Sequence, residues 1–226
     1  MNVLLLIGSA KQPHGNSESL GTYLIERLRE RGAEPETMFL HRSLHTDETR
    51  AALLAASERA DVLVLAFPLY VDSLPYLVIQ SLELIAAHRR TSVGRKRQRL
   101  VCVVNCGFPE AHHNDTAIAI CRRFAHEADF EWAGGLGLGG GEALNGQPLQ
   151  RSGGMARNVV KSLDLAASAL ADGKAVPQEA IVLMAKPLVP VWMYMLLGSF
   201  GWKRLAKKYG VQHRLYERPY EVGEEK

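Results

Sequence analysis

Short apolar runs alternate with longer segments of helical period along most of the chain, and this alternation limits the fold more than any other feature. Three of the runs are apolar almost throughout, which is typical of strands covered on both faces. The pattern predicts a doubly wound α/β domain with a five-stranded parallel sheet between two helical layers. The predicted strands are 2–8, 36–41, 61–68, 100–105 and 130–138. The predicted helices are 17–31, 47–59, 74–88, 114–127 and 154–171.

The end of the chain follows a different pattern. We expect a domain at 1–172 and an extension at 173–226, because no further strand-and-helix unit follows. Residues 187–202 carry no charge, and basic residues follow them directly. With two prolines and fewer than the roughly 20 residues of a membrane span, this segment favours a helix packed on the same domain or on a partner. A helix lying on a membrane surface is the alternative.

Composition narrows the class of protein. With 226 residues, of which 47% are hydrophobic, the chain can bury a substantial core. A formal net charge of +3 is too small to indicate nucleic-acid binding. The first residues lack the features of a secretory leader, and the cysteines Cys102, Cys106 and Cys121 form no even disulfide framework. We therefore expect a cytoplasmic protein.

Ligands of open parallel sheets bind beyond the carboxyl ends of the strands, near the point where the strand order reverses. The segments to inspect are thus the loops after the first, third and fourth predicted strands. They read "GSAKQPHGNSES", "FPLYVDSLP" and "NCGFPEAHHN".

The first loop resembles no triphosphate site, because six residues separate Gly8 from Gly15 and Asn16 stands where a P-loop has lysine. Its hydroxyl and amide donors precede or begin a helix, whose free N–H groups and dipole favour an anion. These donors are Ser9, Asn16, Ser17 and Ser19. The pattern predicts a site for one terminal phosphate. The alternative is that Asn16 or Ser17 simply caps the helix.

The second loop places Pro68 and Pro75 around Tyr70. A backbone fixed by proline can present N–H and C=O groups to the edge of a flat heterocycle, on which Tyr70 would stack. An ordinary connection between strand and helix explains the same residues equally well.

The third loop contains Cys106, Gly107 and Phe108, where glycine permits close backbone approach and phenylalanine provides apolar cover. A zinc site is disfavoured, because strand geometry places Cys102 about 13 Å from Cys106. A redox-active Cys106 is also disfavoured, since nothing in the sequence indicates a lowered thiol pKa. We expect no metal.

Two further segments are less informative. Gly135, Gly137 and Gly140 match G-x-G-x-x-G, but no helix follows them, so we expect a flexible loop that closes over the site. The basic run 88–99 leads into the fourth strand, and we expect it to be a solvated connection at the edge opposite the three loops.

Taken together, the loops resemble those of the flavodoxin-like NAD(P)H-dependent FMN reductases, a group that includes NAD(P)H:quinone oxidoreductases. "GSAKQPHGNSESL" is similar to the family's phosphate loop, of the form G-S-x-[RK]-x-x-x-x-N-[ST]. "FPLYVDSLP" is similar to the loop that contacts the isoalloxazine ring, and "NCGFPE" and "GGLGLGGGEAL" resemble the later loops. The similarity covers about residues 1–170.

The resemblance implies a flavodoxin-like three-layer sandwich with strand order 2-1-3-4-5, FMN as cofactor and NADH or NADPH as co-substrate. It implies electron transfer to a small acceptor such as a quinone or flavin, with no catalytic side chain, and a homodimer or tetramer with the flavin near the interface. The residues that would bind phosphate are Ser9, Lys11, Asn16, Ser17 and Ser19. Those that would contact the ring are Pro68, Leu69, Tyr70, Val71, Cys106, Gly107 and Phe108.

Two other functions stay open at this point. A flavodoxin-type electron carrier would share the fold, although carriers commonly present acidic surfaces and this chain has a pI near 8.8. A flavin-free binding module would share the fold and dock through its apolar tail.

Overall fold

The computed structural model describes residues 1–10, 15–91 and 96–218. The described strands form one parallel sheet in the order β2-β1-β3-β4-β5, which confirms the predicted fold class and strand order. The strands are Asn2–Ile7 (β1), Glu34–Phe39 (β2), Val62–Pro68 (β3), Arg99–Asn105 (β4) and Glu131–Leu138 (β5).

All five predicted helices are present, with ends that differ from the prediction by at most three residues. Three more helices follow from the structure: the short α2 after β2, and α7 and α8 in the predicted extension. The helices are Asn16–Arg29 (α1), Leu40–Ser43 (α2), Asp47–Arg59 (α3), Tyr76–Thr91 (α4), Asp115–Glu127 (α5), Arg157–Ala171 (α6), Gln178–Met184 (α7) and Val191–Lys208 (α8).

The second strand corrects the prediction by two residues at each end. The backbone N–H of Glu34 donates to the carbonyl of Met1 at 2.9 Å, so pairing with β1 begins as soon as α1 has turned back. Leu40, predicted to lie in the strand, begins α2 and is buried. Leu40 is apolar and buried in the helix, as it would be in a strand, so the sequence did not show where the strand ends.

Alternate residues of the central strands enter two separate cores. Leu5 and Val64 pack on the side of α1 and α6, whereas Leu4 and Leu65 pack on the side of α3, α4 and α5. Each such leucine or valine contributes about 1.5–3 kcal/mol through burial. The two cores hold the sheet rigidly between the helical layers, and the loops at its carboxyl edge are positioned by it.

The described residues divide into two compact units, 1–188 and the part that begins at Val189. The first unit includes α7, because Val176, Ala180 and Met184 are buried in the core beside α6 and β5. The predicted boundary after Asp172 therefore falls inside this unit. The second unit contains α8 and a short 3₁₀ turn at Gln212–Arg214. No described helix is both long and apolar enough to cross a membrane.

The basic run 88–99 reaches the amino end of β4, opposite the three loops, as predicted from the order of the elements. Lys96 pairs with Asp61 at 2.7 Å and Arg97 with Glu131 at 2.7 Å. Arg89 is buried and lies 3.9 Å from the centre of the Phe130 ring. We expected a solvated connection. The described part of the run instead packs against the domain and forms ion pairs with it. Residues 92–95 lie outside the described residues.

Partial burial acts to raise the pKa of the Asp61 carboxyl, but its contacts with Lys96 and with the N–H of Asn2 outweigh burial and lower it. The carboxylate is thus held in its charged form at the amino edge of the sheet.

Candidate functional site

The three loops selected from the sequence lie side by side. The strands β1, β3 and β4 are neighbours in the sheet, and all run in the same direction. Their carboxyl ends, at Ile7, Pro68 and Asn105, therefore meet along one edge. This edge brings together the described residues that the sequence predicted as a site.

The first loop starts at a position that only glycine fits. The N–H of Gly8 donates to the carbonyl of Ala66 at 2.8 Å, so the loop leaves the sheet directly beside β3. A Cβ atom at Gly8 would lie 2.3 Å from Cγ2 of Val78 and 2.9 Å from Cβ of Phe67. The next residue, Ser9, is buried. Lys11, predicted to contact phosphate, lies outside the described residues.

Helix α1 begins without a capping side chain. Its N-cap residue is Gly15, in an extended conformation, and Asn16 and Ser17 already lie inside the helix. The alternative that Asn16 or Ser17 serves as the cap is therefore wrong. Because the first N–H groups of a helix have no partner within it, this end of α1 offers donors and a positive dipole to an anion.

Asn105 joins the three loops, and the sequence analysis missed it. Its Nδ2 donates to Oγ of Ser17 at 2.8 Å and to the carbonyl of Phe67 at 3.3 Å. The backbone carbonyl of Asn105 accepts from the N–H of Leu69 at 2.8 Å. The sequence shows an asparagine at the end of the apolar run "LVCVVN", and this position could have indicated a polar group at the end of a buried strand. The structure shows that Asn105 is buried.

Two of the predicted phosphate ligands also hold the loop after β5. Oδ1 of Asn16 accepts from the N–H of Gly146 at 2.6 Å, and the hydroxyl of Ser19 donates to the carbonyl of Gln147 at 2.6 Å. In these contacts Asn16 keeps its amide NH₂, whereas Ser19 uses its hydroxyl hydrogen. Ser17 accepts from Asn105, so its own hydrogen is left for another acceptor.

The second loop contains a strained turn that is exposed. Tyr70 and Ser73 exchange two backbone hydrogen bonds of 3.0 Å, and the residues between them, Val71 and Asp72, have φ of 48° and 57°. Positive φ at both central positions defines a type I′ turn, which disfavours a β-branched residue such as valine. Yet Val71 is 97% exposed and Tyr70 is 51% exposed. An apolar residue held under strain in solvent indicates a functional contact rather than a folding requirement.

The third loop presents a phenylalanine and buries a cysteine. Phe108 is half exposed, and its ring stacks on that of His113 with 4.3 Å between centres. Burial raises the pKa of the Cys106 thiol, whose sulfur lies 3.4 Å from the carbonyl of Phe108. The thiol is therefore protonated at neutral pH and is a poor nucleophile. A Cβ atom at Gly107 would lie 3.9 Å from Cγ of Glu142, so space remains beside its backbone.

The glycine-rich segment differs from the flexible loop that we expected. Gly135 lies in β5, where a Cβ atom would come within 2.5 Å of Cγ2 of Ile118 on α5. After the strand, the N–H groups of Gly140 and Gly141 donate to the carbonyls of Phe108 and Cys106 at 2.6 and 2.9 Å. These glycines allow helix and strand to pack closely, and the segment that follows is fastened to the third loop.

Two cavities among the described residues lie away from the second and third loops, and the smaller one includes Ser19 of the predicted phosphate site in its lining. One, of about 610 Å³, opens at the amino edge and is lined by charged residues that include Arg29, Glu34 and Arg59. The other, of about 180 Å³, lies along α1 and is lined by Glu18 and Glu26 among others, which disfavours an anion there. Neither cavity is lined by the second or third loop.

A family model described as flavodoxin-like fold matches residues 1–126, more than half of the chain. The chain belongs to this flavodoxin-like family. The matched region contains all three loops, so their residues can be considered within a shared architecture. No curated protein matches the chain in sequence.

Solved structures share the fold of this flavodoxin-like chain at low sequence identity. The Trp repressor binding protein from Bacillus subtilis is 11% identical, with a TM-score of 0.52, over 72% of this chain and 95% of that one. An FMN-dependent NADH-azoreductase from Bacillus anthracis str. Ames Ancestor, solved in complex with FMN, is 13% identical, with a TM-score of 0.50, over 76% of this chain and 100% of that one. At such identities the similarity shows the fold alone.

Proposed function

We propose that the protein is an FMN-dependent oxidoreductase that uses NADH or NADPH to reduce a small acceptor such as a quinone. The observation that carries the proposal is the junction at Asn105, which holds the three loops together at the carboxyl edge of the sheet. The membership in the flavodoxin-like family and the FMN-dependent NADH-azoreductase with a similar fold support the choice of cofactor and co-substrate.

The residues of the first loop fit a phosphate. The N-cap residue of α1, Gly15, has no side chain to bond the first N–H groups, which lie at the positive end of the helix dipole. The Ser17 hydroxyl and the Asn16 amide each keep a hydrogen that can be donated to a phosphate oxygen. Gly8 lets the loop pass closely over the sheet, where any side chain would collide with Val78. Ser9 and Lys11 remain predicted ligands.

The second and third loops fit a flat ring. The loop from Pro68 to Val71 presents an exposed apolar side chain and a tyrosine ring next to backbone polar groups. Phe108 presents a second apolar surface from the third loop. These side chains would bind and orient the isoalloxazine and keep water from it.

When bound, FMN supplies the electron transfer between nicotinamide and acceptor, and the protein needs no acid, base or nucleophile of its own. The state of Cys106 is consistent with this division, because its buried neutral thiol offers no competing redox group. Assembly as a homodimer or tetramer is part of the proposal and is measured by the solution mass of the purified protein.

The test is a visible absorption spectrum of the purified protein, before and after addition of FMN, followed by anaerobic titration with NADH and with NADPH. We expect the yellow spectrum of bound flavin, its bleaching by a nicotinamide, and its recovery on addition of a quinone. A protein that takes up no FMN would contradict the proposal. Bound FMN that neither nicotinamide reduces would indicate an electron carrier instead.

A further inference from the structure

The helix α8, Val191–Lys208, exposes apolar side chains on several sides at once. At 3.6 residues per turn, Trp192 and Leu196 lie on one side, Trp202 on another and Leu197 on a third. Each of these four side chains is more than 60% exposed. Residues 191–202 include no charged side chain. A helix that is apolar all round is normally buried in protein or lipid, so this exposure requires an explanation.

The second half of α8 adds a one-sided positive charge. The spacing of its four cations places them on one half of the helix, opposite Trp202 and Leu205. They are Lys203, Arg204, Lys207 and Lys208. Among the described residues, none of the four forms an ion pair with a carboxylate. From 180 to 216 the sequence contains no aspartate or glutamate. Among the described residues, the helix therefore carries a positive charge that no ion pair neutralises.

These features match an anionic lipid surface better than a protein groove. Tryptophan concentrates where the hydrocarbon meets the headgroups, and Trp202 lies directly before the four cations of α8. Lysine and arginine at the end of an apolar segment reach the headgroups with their charged ends. A protein partner would have to surround the apolar half on every side and also supply carboxylates to the other half.

The length of the helix excludes a span and permits a surface position. Its 18 residues extend about 27 Å, and the uncharged part from 191 to 202 only about 18 Å. The hydrocarbon core of a bilayer is about 30 Å thick. Such a helix can enter one leaflet, with its basic end at the headgroups.

We propose that α8 is a peripheral membrane anchor, whose apolar part 191–202 enters one leaflet while Lys203, Arg204, Lys207 and Lys208 contact anionic headgroups. The proposal does not depend on the bound cofactor. It develops the alternative of the sequence analysis in which a helix lies on a membrane surface, and places the apolar part of that helix within one leaflet.

The experiment uses the full-length protein and vesicles of phosphatidylcholine, alone or mixed with phosphatidylglycerol. We expect cosedimentation with the mixed vesicles, much weaker binding to phosphatidylcholine alone, and a decrease with added salt. Two of the three tryptophans lie in α8, so a Trp132→Phe variant reports on the helix by itself. Its emission should shift to the blue when the mixed vesicles are added.

Variants separate the contribution of charge from that of apolar contact. Lys207→Gln with Lys208→Gln should weaken binding to the mixed vesicles about 30-fold, since each cation near such a surface contributes about fivefold. The matched control is Arg122→Gln with Arg123→Gln, which removes two adjacent exposed cations on α5. This control should leave binding to the mixed vesicles unchanged. Leu196→Ser with Leu197→Ser should lower binding by more than about 100-fold.

Circular dichroism and thermal unfolding verify that each variant is folded. We expect all of them to fold, because the substituted side chains are exposed. Equal binding to both kinds of vesicle would overturn the role of the cations. Failure to bind the mixed vesicles at low salt would overturn the proposal as a whole. The protein could instead form oligomers that do not bind vesicles and that dissociate in the Leu196→Ser, Leu197→Ser variant. This result would show that a second copy of the chain covers α8, and it would also overturn the proposal.

Discussion

The two edges of the sheet differ in how their polar groups are satisfied. At the amino edge, Lys96 and Arg97 are paired with carboxylates, and Arg89 is buried against the Phe130 ring. At the carboxyl edge, the groups joined through Asn105 are uncharged amides, carbonyls and a hydroxyl. The amino edge thus neutralises its own charges, whereas the carboxyl edge keeps hydrogens that can still be donated.

Strain is distributed in the same way. The second loop at the carboxyl edge holds Val71 at positive φ with its side chain in solvent. Such a conformation costs about 1–3 kcal/mol and persists where the surroundings impose it. This difference supports the proposed ligand site at the carboxyl edge. Four substitutions test this difference.

The largest effect is expected for Ser17→Asp, which places a negative charge at the start of α1. At about 4 Å and an effective dielectric constant of about 20, two like charges repel by about 4 kcal/mol. FMN affinity should therefore fall by at least about 100-fold, as measured by quenching of flavin fluorescence. The helix dipole favours an acidic residue there, but Ser17 is buried, so the free energy of unfolding should fall as well, and circular dichroism has to show that the variant is folded.

The control for this substitution is Ser17→Asn, which has the size of aspartate without its charge. Its FMN affinity should lie close to that of the original protein, and equal losses in the two variants would attribute the effect to size. In that case the loss of affinity would give no support to an anion site in the first loop.

The second effect is expected for Asn105→Ala, which removes the amide that joins the loops. Because Asn105 is buried, the loss of its hydrogen bonds should lower the free energy of unfolding by about 2 kcal/mol in urea denaturation. A double-mutant cycle with Ser17→Ala isolates the 2.8 Å bond between the two side chains. Additive effects would show that this bond does not couple the loops.

A smaller effect of the opposite sign is expected for Val71→Gly. Glycine adopts positive φ without strain, and this gain exceeds the greater flexibility that glycine gives the unfolded chain, so the protein should gain about 1 kcal/mol. Since the side chain is almost fully exposed, no packing is lost. We expect a higher melting temperature together with weaker FMN binding. The Val71→Asn variant, which also tolerates positive φ, should be stabilised too, and a loss of stability in both would contradict the strain.

The smallest effect is expected for the double substitution Lys96→Glu and Arg97→Glu at the amino edge. Both ion pairs are partly exposed, and each should contribute less than about 1 kcal/mol. The Michaelis constants for NADPH and NADH should not change in steady-state kinetics. A selective rise in the constant for NADPH would show that this edge takes part in nucleotide binding.

Local patterns in the sequence predicted most of the fold. The apolar runs within β3 and β4 identified strands buried on both faces, and the helices were predicted from their hydrophobic period. The position of β2 was wrong by two residues, because the hydrogen bond between Glu34 and Met1 that starts it joins segments far apart in the chain. Pairing of that kind has no local signature.

The candidate site was predicted less completely than the fold. Donor residues in the first loop could be read from their types, but the partners of Asn16 and Ser19 lie about 130 residues away in the loop after β5. The role of Asn105 and the strain at Val71 depend on the backbone geometry of three converging loops. Neither could be derived from composition or spacing.

The sequence by itself determined the order of strands and helices and the chemistry of each loop, because hydrophobic period and side-chain type are properties of neighbouring residues. Only the tertiary structure decided which groups keep a free hydrogen, which are paired, and which apolar segments are buried. β3 and the first half of α8 are both uncharged and apolar, yet the sheet buries β3 on both faces while α8 is exposed. Burial depends on which elements lie beside a segment in space. The residues within the two segments do not specify those neighbours.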